Sequence, residues 1–279
     1  MKTNYYFINN DSRFINIAGD DRQDFLQGLI TNDINVCNRK NPIYSCILSP
    51  QGKFLADFFI IELDGSYLIE IHNQFFDNIF QKLQLYVLKS KVIITENNNY
   101  LSCVLFNNNK ITVPNYLISF QDPRKNNIGI KYILNTYNSS SFKKLGFTPV
   151  DINYYKEILM KNLIPYSPDD LIENKSLLLE NNFQNINAIN WDKGCYVGQE
   201  ITARMKYRAL LKKKIYTLEI ISGSVQVGEK ITINDISIGE IISITKKFSI
   251  AMLKIDAAKE VIKNDNVIDL SNATVKIIH

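Results

Sequence analysis

Within twelve residues, Lys193-Gly-Cys-Tyr-Val-Gly-Gln-Glu-Ile-Thr-Ala-Arg204, stand a thiol, an amide, a carboxylate, two fixed positive charges and two glycines. A plain core element has little use for that mixture. Gly194 and Gly198 bracket Cys195 and let the backbone turn sharply on either side of it. Gln199, Glu200 and Ala203 are good helix formers, so the pattern predicts a helix that begins after Gly198. Glu200 in its first turn suits the helix dipole. Cys195 is then placed just before a helix N-terminus and beside Lys193, and both features favour thiolate. A second reading stands next to this one: a buried cysteine in a glycine-rich turn, since free cysteine is among the most buried residue types.

The rest of the chain bounds the chemistry. Its 279 residues suffice for about two domains. A hydrophobic fraction of 46 % and a charged fraction of 22 % are ordinary for a globular protein. The net charge of +4 does not by itself imply nucleic acid. Cys37, Cys46, Cys103 and Cys195 form no CxxC pair, and the spacing suits neither zinc nor a self-contained iron–sulfur site. With His72 and His279 the only histidines, neither a His-rich metal site nor a Ser-His-Asp hydrolase is expected. His72 is expected to end a strand. The first residues contain no long apolar stretch of the secretory type, and no run approaches the ~20 apolar residues of a membrane span. These observations lead to the expectation of a cytoplasmic protein with reduced thiols.

Periodicity places the elements that must position the motif. Phe14-Ile-Asn-Ile17 alternates as a strand. Asp20, with Gln23 three residues on, resembles a capping box for a helix carrying Phe25, Leu26, Leu29 and Ile30. Strands are predicted at about 43–48, 53–63 and 66–71, with Asp64-Gly65 as a hairpin turn. Asn73 is placed to cap a helix with Phe75, Phe76, Ile79, Phe80, Leu83 and Val87 on one face, followed by a strand at 92–95. The order is close to a split βαβ arrangement with one extra strand. Short strands at 100–106, 116–120 and 128–134 follow, separated by Asn-rich turns, with a loop at 138–141. Asp151 is placed to cap a helix with Ile152, Tyr155, Ile158 and Leu159. Residues 162–192 are irregular, and such a stretch often forms a site. Arg204, Lys206, Arg208, Lys212, Lys213 and Lys214 make a basic run. Alternating strands at 215–221, 230–233, 236–244 and 248–255 then predict a small all-β barrel. The boundary falls near 209, giving domains 1–208 and 209–279.

Three segments together resemble a known family: Ile17-Ala-Gly-Asp-Asp-Arg-Gln-Asp-Phe-Leu-Gln-Gly-Leu-Ile-Thr-Asn-Asp33, Leu48-Ser-Pro-Gln-Gly-Lys-Phe-Leu-Ala-Asp-Phe58, and Lys193 to Glu200 with Arg204 and Lys206. In this order they look like the YgfZ family of folate-binding iron–sulfur assembly factors, related to the aminomethyltransferase (T-protein) of the glycine cleavage system. The resemblance implies an α+β fold of T-protein type, with two α+β, ferredoxin-like subdomains around a central channel and a C-terminal β-barrel. It implies tetrahydrofolate as ligand. It also implies a role in maturing or repairing iron–sulfur proteins, including radical-SAM enzymes that modify tRNA, with iron–sulfur client or carrier proteins as partners.

Carried residue by residue, the resemblance implies Asp57 near an acidic pair that holds or exchanges a proton on a folate nitrogen. Here the preceding residue is Ala56, so the pair is broken. Glu180, in Leu177-Leu-Leu-Glu180, matches the carboxylate that pairs with the donor edge of the pterin. Arg204 and Lys206, with Arg208, are candidates for the anionic glutamate tail or for a solvated basic edge. Cys195 is the candidate reactive thiol, with Lys193 beside it, and Gly194, Tyr196, Gly198, Gln199 and Glu200 hold its loop. Asn32 and Asp33 either cap or line the channel. One thiol cannot hold a cluster that commonly takes four cysteine ligands, so a cluster role needs a partner or a second copy. The alternative function is a folate-dependent aminomethyltransferase or other one-carbon transferase, against which Ala56 and the Lys-Gly-Cys motif stand. The basic run alone, with no RNA-binding motif, predicts no stable nucleic-acid complex.

Overall fold

Alternation and helical periodicity sort the chain into strands and helices much as the sequence suggests. The structure, a computed structural model, describes residues 4–106, 116–136, 141–208 and 210–279. The loop expected at 138–141 lies, over 138–140, outside the described residues, as does the Asn-rich turn at 107–115. The chain divides into two compact units, each assembled from separate segments. One comprises Met1–Gln51, Leu55–Ile152 and Ile186–Gln199; the other comprises Gly52–Phe54, Asn153–Asn185 and Glu200–His279.

The first unit holds β1 (Tyr5–Asn9), β2 (Ser12–Ala18), α1 (Arg22–Gln27), β3 (Ile43–Leu48), β4 (Phe54–Leu63), β5 (Ser66–His72), α2 (Asn73–Tyr86) and β6 (Ile93–Glu96). It continues through β7 (Tyr100–Phe106), β8 (Tyr116–Gln121), β9 (Ile130–Asn135), α3 (Ser141–Lys144) and β10 (Thr148–Pro149). Two five-stranded sheets result, ordered β3-β4-β5-β2-β6 and β10-β1-β7-β9-β8. Both β5 and β6 run antiparallel to β2 between them, and α2 joins them, which is the split βαβ unit. Gly65, at φ +77°, makes the tight turn between β4 and β5. All six residues of β3 are buried, so this strand reads as a continuous apolar run rather than an alternation.

Two caps differ from expectation. Asp20 does not start α1; Asp21 stands at the cap position, and its side chain accepts instead from the Lys91 N–H at 2.7 Å. His72 ends β5 as expected, and its Nδ1 also accepts from the Gln74 N–H at 3.1 Å, so it is His72 rather than Asn73 that caps α2.

Besides Gly52–Phe54, the second unit holds all but the first residue of α4 (Ile152–Lys161), α5 (Ser167–Asp170) and all but the first residue of α6 (Gln199–Tyr207). Its sheet is built from β11 (Lys213–Gly223), β12 (Lys230–Ile233), β13 (Ile236–Ile244) and β14 (Phe248–Lys254), followed by α7 (Ile255–Asn264), β15 (Val267–Asp269) and β16 (Ala273–Ile277). The order β12-β13-β14-β11-β16-β15 is antiparallel throughout and barrel-like. The predicted all-β module therefore contains one helix. Ala258 and Val261, three apart on α7, enter the same core as Leu218, Ile231, Leu253 and Val275.

Candidate functional site

A helix that ends leaves its last carbonyls without intrahelical donors. In α1 and the turn after it, Lys193 supplies them: its Nζ donates to Gln27 O at 2.8 Å, Ile30 O at 2.7 Å and Asn32 O at 2.9 Å. A cation near a helix C-terminus is also favoured by the dipole. Val197 N–H donates to Gly28 O at 3.0 Å and Asn190 N–H to Thr31 O at 3.1 Å. The Thr31 hydroxyl donates to Ala188 O at 2.7 Å, and Asn32 Nδ2 donates to Tyr44 O and Asn187 O. The cysteine loop is thus stitched along 187–197 to the turn between α1 and β3. Burial pulls the Lys193 ammonium down to about 8, against the opposing pull of Asp33. All three of its N–H bonds serve carbonyls, so Lys193 positions the loop that carries the thiol.

On top of this base Cys195 is exposed, whereas Cys37, Cys46 and Cys103 are buried. Burial pushes the Cys37 thiol up to about 12 and Cys46 well above its ordinary range. The reading of Cys195 as a buried cysteine in a turn is therefore set aside. Gln199 opens α6 as expected; its Oε1 accepts from the Tyr196 N–H at 3.0 Å and its Nε2 lies 3.9 Å from Cys195 Sγ. Gly198 adopts φ +81°, the left-handed conformation that only glycine takes freely, while Gly194 does not use that region. The Tyr196 ring lies 5.0 Å from Lys193 Nζ, and its phenol is pushed up by burial and by nearby Cys46.

Asp57 of the first unit is half-buried and accepts a short hydrogen bond from the Tyr44 hydroxyl. Arg124 lies 5.3 Å over the Tyr44 ring and is fixed by a bidentate pair with Asp122, at 3.0 and 2.7 Å. Ala56 is fully buried. Asp33 accepts from the Asn35 N–H and caps the 3-10 turn Ile34–Val36. Sequence reasoning missed Arg124, Asp122 and the buried Lys131–Glu70 pair at 2.9 Å. Its available signal was a charge at an inward position of an otherwise apolar strand.

Glu180, Glu200, Arg204 and Lys206 belong to the second unit. Glu180 follows α5 in a turn, with its side chain 16 % exposed. Its one ion pair among the described residues, to Lys213 at 3.7 Å, is too long for a good hydrogen bond. Glu180 lines two cavities. One, of about 410 Å³, also presents Asp170, Asn181 and the apolar Ile172, Ile242 and Met252. The other, of about 530 Å³, presents Lys212, Lys213 and Lys254 with Leu177, Ile201 and Met205. Arg204 instead pairs with Glu200 at 2.8 Å on the surface. The Lys206 ammonium lies 5.4 Å from the Tyr207 ring. Lys212, Lys213 and Lys254 line a cavity with Glu180, while Arg204 and Lys206 do not line either of these two.

An under-partnered carboxylate flanked by apolar walls suits a flat heterocycle with an N–H edge, so the donor set fits a reduced folate. Among the described residues no group of three or more His, Cys, Asp or Glu is placed to hold a metal ion. None of their helices is long and apolar enough to cross a membrane.

No protein-family profile matches the chain. Curated relatives do. A protein of Neurospora crassa is 31 % identical over 231 residues, 73 % of this chain and 51 % of that protein. One from Mycosarcoma maydis is 29 % identical over 219 residues, covering 73 % and 54 %. One from Dictyostelium discoideum is 26 % identical over 243 residues, covering 72 % and 59 %. Each is named an iron-sulfur cluster assembly factor IBA57 homolog, mitochondrial. The chain spans about half the length of the first two. Their names overturn the expectation of a cytoplasmic protein. Among solved structures, the glycine cleavage system aminomethyltransferase T of Bartonella henselae matches with a TM-score of 0.76 at 10 % identity, over 99 % of this chain and 85 % of that one. At that identity the match carries the fold alone.

Proposed function

Because its relatives and its fold make this chain a T-protein-like factor of the YgfZ/IBA57 family, we propose that it serves iron–sulfur cluster assembly in mitochondria while holding a reduced folate. The single observation that carries the reading is the exposed Cys195, mounted on a loop that three lysine hydrogen bonds fix from below. A thiol so placed is open to a protein partner. One sulfur supplies one ligand of the four a cluster commonly takes. The other ligands come from an iron–sulfur client or carrier, and radical-SAM enzymes that modify tRNA are the proposed clients.

Tetrahydrofolate would be held in the second unit. Glu180 would accept from the pterin edge, Ile172 and Ile242 would cover its faces, and Lys212 and Lys254 would meet the anionic tail. Bound folate supplies a carrier for a one-carbon unit; the chain's own residues bind and orient it. The transferase alternative gains no support, since Ala56 occupies the place of the missing acid and is wholly enclosed.

Complementation of a strain lacking the family member tests this, with tRNA methylthiolation as the readout. Cys195→Ser is expected to remain folded and to lose rescue. Full rescue by that variant would make the thiol dispensable. In parallel, Glu180→Ala is expected to weaken tetrahydrofolate binding at least about tenfold by calorimetry. Unchanged affinity would remove Glu180 from the site.

A further inference from the structure

Asn181 is 2 % exposed and lines the cavity of about 410 Å³ beside Glu180. Its Nδ2 donates to Leu177 O at 2.9 Å. A carbonyl only accepts, so this bond fixes which way the amide faces. The Oδ1 is turned away from that carbonyl; it has no hydrogen-bond partner among the described residues and is shut off from bulk water. Leaving a buried acceptor unmade is costly, and such a group in a cavity wall calls for a donor. Neighbouring Glu180 offers acceptors as well. Two acceptor groups on adjacent residues of one cavity fit a ligand edge made only of donors.

Resting on the folate reading above, we infer that Asn181 is a specificity-determining residue of this cavity, accepting the second amino hydrogen of an aminopyrimidine edge. That edge carries three N–H bonds in a row. A carboxylate takes two of them, the ring N–H and one amino hydrogen, and Asn181 Oδ1 takes the third. An edge bearing an oxo group would set acceptor against acceptor, and one bearing a methyl would leave the amide unpaired. Reaching Oδ1 needs a small shift of the apolar wall. Met252, unbranched and half-buried, is the most adaptable of the apolar side chains lining this cavity.

The test is calorimetry on the full chain with two probes: tetrahydrofolate and its N2-monomethyl analogue, which keeps one amino hydrogen for Glu180 and blocks the other. The native protein is expected to bind the analogue about ten- to hundredfold more weakly. Asn181→Leu, matched in size and lacking the acceptor, is expected to bind both probes equally. Should that variant fail to fold, the two-probe comparison on the native protein decides alone. Equal binding of both probes by the native protein overturns the role of Asn181 and leaves Glu180 in place. No binding of tetrahydrofolate at all overturns the folate reading and this inference with it.

Discussion

The loop around Cys195 and the segment from Tyr166 to Asn181 place polar groups in opposite ways. In the first, side-chain donors beneath the loop meet backbone carbonyls. Lys193 places three donors on three carbonyls, Thr31 and Asn32 bond to Ala188 and Asn187, and the Cys195 sulfur faces outward. In the second, polar groups are enclosed and left short. Among the described residues, Asn181 Oδ1 and Ser167 Oγ have no hydrogen-bond partner and Glu180 has a single long ion pair, and the cost of burial at Asp170 outweighs its hydrogen bonds from Ser243 and the Tyr166 N–H. A saturated base makes a rigid mount for a group that acts on an external partner. An unsaturated wall stores a demand that a bound ligand can meet. The two regions differ in where the reactive capacity is kept: at the tip in one, in the lining in the other.

The largest test of that contrast is Asp170. Burial raises its carboxyl from the ordinary 3.8 to about 7; the Ser243 hydroxyl and the Tyr166 N–H pull it back down, Asp169 pushes it up and Lys156 draws it down. The folded chain then holds a proton that the unfolded chain releases above pH 4. Stability from this group is fully present at the acid end, falls as pH rises from about 4 to about 7, and is level beyond; integrated over that window the loss is about 4 kcal/mol. Asp170→Asn is expected to be close to the native protein at pH 5 and more stable at pH 8. Urea unfolding at the two pH values checks this. A variant with the same pH dependence as the native chain would mean that this carboxyl is not held short.

How much of this was legible follows the same divide. Strands such as Ile43–Leu48 and Lys230–Ile233 could be read to the residue, because β-branched and aromatic runs between turn residues leave few alternatives. The start of α6 at Gln199 was legible from Gly198 and the helix formers after it. The helix Ile255–Asn264 was not, although Ala258 and Val261 stand at helical spacing, because the strong strand pattern before it runs straight into its first residue. In the site, the exposure of Cys195 was not legible from residue types, which favour burial for a free cysteine in a glycine-rich turn. Nor were the partners of Lys193, because Gln27, Ile30 and Asn32 offer backbone carbonyls, and a backbone group carries no residue identity to read. The orphaned Asn181 was invisible for a related reason: an asparagine in a turn looks the same whether its carbonyl is paired or not.

The saturated base is tested next by Lys193→Met, which keeps the length of the stem and removes all three donors. Because the site is half-buried, water replaces part of what is lost, and the local cost is about 2 kcal/mol. The expected readout is hydrogen exchange at Val197 and Asn190, whose N–H groups bond Gly28 and Thr31 across the loop base. Exchange there is expected to quicken about thirtyfold while the core strands stay protected. Unchanged exchange would mean that the loop is held by its backbone bonds alone, and the contrast with the Tyr166–Asn181 segment would lose its first half.

Glu200 carries the smallest expected effect, and its smallness is informative. It stands inside the motif, yet its carboxylate is 80 % exposed and pairs with Arg204, itself 46 % exposed, one turn along α6. Two long side chains must be ordered to make a contact that water and salt screen, so such a pair contributes about 0.3–0.5 kcal/mol. Glu200→Gln is therefore expected to shift the urea midpoint barely, and less still in 0.5 M salt than in 0.05 M salt, since ~0.5 M shortens the Debye length well below the ~10 Å of dilute buffer. A loss above about 1 kcal/mol would place Glu200 among the saturated contacts of the loop base. A negligible loss of stability joined to a loss of rescue in the complementation assay would instead put its exposed charge on the face that meets the partner, beside the thiol.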